Sequence, residues 1–206
     1  MTYTIVLATP RGVAVVGVVS GSIAVGTRVP WVKEGVGAVA TQGYTNVALG
    51  PLILSLLERG YSCKKAIEEA LKTDPEPEYR QVLVASCRGD TGHHTGRYCP
   101  DVKYVRVGPN FVCGGNCLIS EEVVEAMFEE MIRTSALHPL TRVLRALEVG
   151  HEAGGDARGD RSAAIVYTEP GIRPIVIRVD NSTDPVAELR ARVARISSLH
   201  LKLPLI

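Results

Sequence analysis

Apolar and polar positions fall along this chain in blocks of strand-like and helix-like period. Tyr3 to Ala8 and Val13 to Val19 are apolar at nearly every position and rich in β-branched residues, with Pro10-Arg11-Gly12 between them. Continuous apolar runs of this length around a turn predict two paired strands covered on both faces. Gly35 to Gln42 predicts a third strand. Helical spacing follows. Pro51 to Arg59 predicts a helix with Pro51 at its first position, and a second helix starts after Ser62, a good N-cap, and runs to Leu71.

Tyr79 to Ser86 and Tyr104 to Cys113 return to strand composition, separated by a polar loop rich in Gly and His. Val123/Val124, Met127/Phe128 and Met131/Ile132 then recur at helical spacing. Ser120 is the predicted cap of that helix, and Glu121 and Glu122 suit its first turn. A companion helix carries Leu140, Val143, Leu144 and Leu147 and ends at Gly154-Gly155. Ala163 to Thr168 and Pro174 to Val179 predict strands, and Asp184-Pro185 opens a last helix with Val186, Leu189, Val193 and Ile196 along one face. Strands and helices come in blocks rather than alternating singly, which disfavours a parallel βαβ sheet. The pattern predicts an α+β protein: a four-layer αββα sandwich of two mainly antiparallel sheets, in one domain over residues 1–206.

Composition narrows the function classes. With 206 residues, 46% of them hydrophobic, the chain can bury one sizeable core. A net charge of +1 and an aromatic content of 5% argue against nucleic acid as a partner. No apolar run approaches the ~18 residues that cross a bilayer, so no membrane partner is expected. The early apolar stretch Val13 to Val19 is short and holds a Gly, and Met1 to Pro10 before it carries no basic residue, which argues against a secretory signal and for a cytoplasmic protein. Five cysteines, an odd number, argue against a secreted disulfide framework. Cys87, His93, His94, Cys99, Cys113 and Cys117 are the raw material of a zinc alternative, but no C-x-x-C or H-E-x-x-H spacing is present. Buried free thiols are the more ordinary reading, and no metal or cofactor is expected.

Thr2 carries the sharpest chemical hypothesis. A small residue at this position permits removal of Met1, which leaves threonine with a free α-amine. Such an amine has a pKa of ~7.7–8.0 and can take the proton of its own residue's hydroxyl, making threonine a nucleophile.

Several further segments support that reading by resemblance. They are Met1-Thr2-Tyr3-Thr4-Ile5-Val6, Ala24-Val25-Gly26, Val29-Pro30-Trp31, Gly35 to Gln42, Thr45-Asn46, Leu49-Gly50-Pro51, Gly115-Asn116, Gly154-Gly155-Asp156, Arg158-Gly159, Ser162-Ala163-Ala164 and Asp184 to Leu189. In this order they span nearly the whole chain, which resembles the bacterial and archaeal family catalogued as domain of unknown function 1028, of the N-terminal-nucleophile (Ntn) hydrolase superfamily. Where that family usually has glutamine, this chain has Arg161, and Gly17 and Gly21 stand around Ser20 where larger residues are common.

The resemblance implies an Ntn-type sandwich and hydrolysis of an amide or related acyl bond in a small-molecule substrate. It gives Thr2 the role of nucleophile and Asn116, in Cys113-Gly114-Gly115-Asn116, that of oxyanion donor. Asp156 would support the nucleophile's amine, ahead of Asp160, and Lys33 would lower its pKa by proximity. Ser20, Trp31, Gln42, Asn46, Arg158 and Ser162 would line the pocket. The alternative is a catalytically silent module that binds a small molecule on the same fold. A homo-oligomer is expected by analogy.

Overall fold

The structure, a computed structural model, describes residues 2–199. The first two apolar runs form the expected hairpin, in which β1 (Thr2–Ala8) pairs antiparallel with β2 (Ala14–Ser20), Tyr3 opposite Val19. Next come β3 (Pro30–Lys33), β4 (Gly37–Gly43), α1 (Leu49–Glu58) and α2 (Cys63–Leu71). They are followed by β5 (Arg80–Ser86), β6 (Thr91–Thr95), β7 (Tyr104–Val107) and β8 (Phe111–Asn116). The chain continues through α3 (Glu122–Arg133), α4 (Pro139–Glu152), β9 (Ser162–Glu169), β10 (Ile172–Val179) and α5 (Pro185–Leu199). The described chain is therefore α+β, with five helices and two antiparallel sheets. One sheet has the strand order β10-β9-β2-β1-β8-β7 and the other β3-β4-β5-β6.

Alternate residues of each strand serve different apolar layers. Tyr3, Ile5 and Leu7 of β1 face outward and pack with Val15, Phe111, Tyr167 and the apolar stripes of α3, α4 and α5. Val6 and Ala8 face the second sheet, where they meet Val16, Val18, Ala38, Ala40, Leu83, Ala85 and Val112. Val39, Val82 and Val84 on the far side of that sheet pack against α1 and α2 through Ile53, Leu57, Ala66 and Ile67. Strands enclosed on both faces need no apolar–polar alternation, which accounts for the continuous apolar runs.

The structure departs from the sequence expectations at several places. The expected polar loop after Ser86 contains β6, which pairs with β5 as a sheet edge, His93 opposite Leu83. Edge strands stay partly exposed, so their polar composition hides them. β3 is the other edge, four residues long and opened by Pro30 at a place where an edge tolerates proline. α1 starts at Leu49, so Pro51 is its third residue, because Asn46 accepts the Ala48 N–H at 3.0 Å on its side chain and starts the turn early. Ser62 does cap α2, accepting the Lys65 N–H. Ser120 does not cap α3; Glu121 stands at that position without a side-chain cap. The start of α3 is fixed instead by the preceding backbone, where the Ile119 N–H donates to the Gly155 carbonyl at 3.1 Å. β10 begins at Ile172, before the expected Pro174, with an irregular register between Ile172 and Ile175. No helix among the described residues is long and apolar enough to cross a membrane.

Candidate functional site

The layer between the two sheets changes character along the strands. At one end it is apolar but for Thr168, which lies opposite Ala14. At the other, where β1 starts and β2 and β8 finish, successive strands place polar side chains in register. Thr2 lies opposite Asn116 on β8, and Ser20 on β2 lies opposite Ser162 on β9. Opposed residues of an antiparallel pair point to the same face, so Ser162, Ser20, Thr2 and Asn116 form one polar row across four adjacent strands. From the other sheet Gln42 and Gln81, themselves paired across β4 and β5, face this row. All of these side chains are buried.

Hydrogen bonds tie the row together. The Thr2 hydroxyl donates to Ser20 Oγ at 3.3 Å, and Ser20 Oγ lies 2.9 Å from Ser22 Oγ. Asn116 Nδ2 donates to Gln81 Oε1 at 2.9 Å, and Gln42 Nε2 donates to the same oxygen at 2.7 Å. Gln81 Nε2 in turn donates to the Gly115 carbonyl at 3.0 Å, and the Thr4 hydroxyl donates to Gln42. Buried amides and hydroxyls hold such positions only when partnered, so this end of the layer is a rigid polar network rather than a defect in the core.

The segment after α4 closes this end. α4 finishes in a Schellman turn in which Gly154, at φ +110°, donates to the His151 carbonyl and Gly155 to that of Gly150. The chain then runs from the end of β8, where Ala157 N–H donates to the Cys117 carbonyl, to the end of β2, where Arg161 N–H donates to the Ser20 carbonyl. Because β1 lies between β2 and β8, this segment passes from one neighbour of β1 to the other at the end where β1 starts.

Asp156 is its pivot. Its Oδ2 accepts the Gly21 N–H at 2.8 Å and Arg158 Nη2 at 2.8 Å. Its Oδ1 accepts the Arg158 backbone N–H at 3.0 Å and Arg158 Nε at 2.9 Å. Burial works to raise the pKa of this carboxyl, but the Arg158 guanidinium and the Gly21 and Arg158 amides overcome it and hold the group below the usual carboxylate range. Gly21 is required here, because a Cβ would come within 2.7 Å of Asp156 Oδ1.

Asp160 supports Asp156 from behind. Its Oδ1 accepts the Asp156 backbone N–H at 3.1 Å, and its Oδ2 takes the Tyr3 hydroxyl at 2.5 Å and lies 2.7 Å from His151 Nδ1. Burial, and then the Asp160 charge, push the Tyr3 phenol well above its ordinary pKa, so it stays a protonated donor.

The structure therefore gathers Thr2, Ser20, Gln42, Asn116, Asp156, Arg158 and Ser162. It does not bring Lys33, Trp31 or Asn46 to them. Lys33 lies opposite Gly37, at the end of β4 remote from Gln42, and pairs with Glu58 at 2.6 Å on an exposed face. Trp31 belongs to the outer layer against α1, packed so closely over Gly50 that a Cβ there would meet the indole at 2.3 Å. Asn46 donates to Asp74 Oδ2 at 2.9 Å and organises the start of α1 and the Asp74–Arg80 pair.

Sequence reasoning overlooked Thr4, Ser22, Arg28 and Gln81. A weak signal existed for Thr4, which shares strand parity with Thr2, and for Gln81, a polar residue in an apolar run. The cysteines are all unpaired, and no three His, Cys, Asp or Glu side chains among the described residues gather as metal ligands. A wide groove between β10 and α5, lined by Val176, Arg178, Arg192 and Ile196 among others, shares no residue with the polar cluster.

The described residues thus form an α+β protein of two antiparallel sheets, with a hydroxyl and amide cluster at one end of their common layer and Asp156 on the loop beside it. The chain belongs to the family described as "Family of unknown function (DUF1028)", whose model matches residues 2–189. It is also similar to the crystal structure of protein SPO2555 from Silicibacter pomeroyi, described under the same family, at 25% identity and a TM-score of 0.90 over 98% of this chain and 88% of that one. Comparison with curated proteins finds no match.

Proposed function

We propose that the protein is an Ntn-type hydrolase that cleaves an amide or related acyl bond, with Thr2 as nucleophile once Met1 has been removed. On this reading the two sheets and their covering helices are an Ntn-hydrolase-like sandwich. The observation that carries the proposal is the place of Thr2. It stands at the start of a central strand, bonded to Ser20 on one side and in register with Asn116 on the other, under the loop pivoted on Asp156.

The reaction runs in two halves. The Thr2 hydroxyl oxygen adds to the substrate carbonyl carbon while its proton passes to the α-amine of the same residue. The carbonyl oxygen becomes an oxyanion, for which Asn116, held in place by Gln81, is the donor. The carbon–nitrogen bond then breaks and the leaving amine departs with the proton held by the α-amine. Water adds to the resulting threonyl ester, and the carboxylic acid leaves as the hydroxyl is restored. Asp156 and Arg158 form a positioning pair: they hold the covering loop over the site and lend it a fixed anionic group beside the chain start.

A silent binding module is the second reading, favoured by the degree to which the cluster already satisfies itself, since the Asn116 amide is engaged by Gln81. Intact mass measurement of the protein from its native host separates the two. Loss of the Met1 mass is expected, together with turnover in an amide screen that vanishes in Thr2→Ala. Retention of Met1 overturns the Thr2 mechanism.

A further inference from the structure

We infer that the substrate carries a carboxylate and that Arg28 receives it. For the reaction this rests on the hydrolase reading; for binding it does not.

Arg28 follows the single helical turn Val25–Thr27 in the loop between β2 and β3. That loop is pinned over the site, since Ser162 Oγ donates to the Ser22 carbonyl at 2.6 Å and accepts the Val25 N–H at 3.1 Å. The half-buried Arg28 guanidinium donates to Ser22 Oγ at 2.6 Å and to the carbonyls of Ile23 and Ala24 at 2.9 and 3.0 Å. Ser22 contacts Ser20, and Ser20 contacts Thr2, so three hydrogen bonds connect the guanidinium with the candidate nucleophile. Their lengths keep the two groups within about 9 Å of each other.

The charge at this place is unbalanced. Among the described residues no carboxylate pairs with Arg28, whereas the neighbouring Arg158 is neutralised by Asp156 at 2.8 Å. Burial, and then the Arg158 charge beside it, lower the pKa of Arg28 below the ordinary arginine value. A half-enclosed cation next to a second cation is costly until an anion arrives. The planar fork of guanidinium donors matches a carboxylate bidentately. Apart from the Asp156–Arg158 pair, whose charges offset each other, the side chains around Thr2 are hydroxyls and amides, which would hydrogen-bond an amide rather than compete for the charge. A short amide with a carboxylate a few bonds from the scissile carbonyl matches both ends of this arrangement.

Binding of glutarate and of its uncharged analogue glutaramide, measured by calorimetry, tests the inference without requiring catalysis. Glutarate should bind wild type at least tenfold more tightly than glutaramide, and Arg28→Met should remove that preference. Lys33→Met, which removes an exposed cation remote from the site, should keep it. Equal binding of the two compounds, no binding of glutarate, or undiminished glutarate binding by a folded Arg28→Met overturns the inference. If Arg28→Met fails to fold, the wild-type comparison of the two compounds decides alone.

Turnover separates this inference from the hydrolase reading. Hydrolysis of glutaramate, which consumes water and releases glutarate and ammonia, should exceed that of glutaramide tenfold. N-acetylglycine against N-acetylglycinamide tests a carboxylate on the amine side of the bond. Glutarate binding through Arg28 without cleavage of any amide sinks the hydrolase alone. Cleavage of neutral amides as fast as anionic ones sinks the carboxylate alone.

Discussion

The two ends of the layer between the sheets are built by the same strands yet follow opposite rules. At the apolar end Val6, Val16, Ala38, Ala85 and Val112 fill the space with small apolar groups. At the other, two residues along on β1 and four along on β4, β5 and β8, Thr4, Gln42, Gln81 and Asn116 fill it with a hydrogen-bonded network. The apolar end holds the sheets together by burial and dispersion, which tolerate modest changes of shape. The polar end contributes little net stability per bond and depends on every partner being present. A protein that needed only a core would have no reason to run this network across four strands and cover it with a second loop. The contrast is the physical ground for placing chemistry at the Thr2 end.

Substitutions at the two ends should separate function from stability. Thr2→Ala should have the largest effect, lowering amide turnover on the order of 10⁴-fold or more while changing stability by about 1 kcal/mol, as read by kinetics and by denaturant unfolding. Asn116→Ala should lower turnover by about 10²–10³-fold, the cost of one oxyanion donor; turnover equal to wild type removes Asn116 from that role. Leu83→Ala, at the apolar end on β5, should destabilise by about 2–5 kcal/mol through lost burial and the cavity left behind, with ligand binding in the folded protein unchanged.

Asp156 offers the smallest and most specific test. Its pKa is depressed in the folded state, so its contribution to stability is present above the unfolded carboxylate pKa of about 3.9 and is lost as pH falls through the lower folded value. Unfolding curves between neutral pH and pH 3 should therefore show a shallower loss of stability for Asp156→Asn than for wild type. Parallel slopes would remove Asp156 from the account of acid sensitivity.

Much of the fold was legible because it depends on local pattern. The apolar runs of β1 and β2, the 3.6-residue stripes of α3, α4 and α5, and the Ser62 cap each depend on residues close together in the chain. The edge strands β3 and β6 were hidden because half-exposed strands lack an apolar signature. Ser120 misled because a good capping residue is only one way to start a helix, and here the backbone of Ile119 is held by Gly155. Lys33 and Trp31 lie close in sequence to residues of the site, but on β3 they belong to the outer side and the remote end of the second sheet.

What the sequence by itself determined was most of the elements and the polar side chains they carry, Thr2 among them, because hydrophobic period and residue chemistry are local properties. Tertiary structure alone decided which side chains meet. Strand parity places Thr2 and Thr4 on one face, yet it does not name the strand that lies opposite. Register set Asn116 beside Thr2, sheet packing brought Gln81 to Asn116, and a loop closing over 135 residues of chain brought Asp156 to Gly21. Such meetings depend on the packing of whole layers, whose energy is spread over many residues, and so no short stretch of sequence records them.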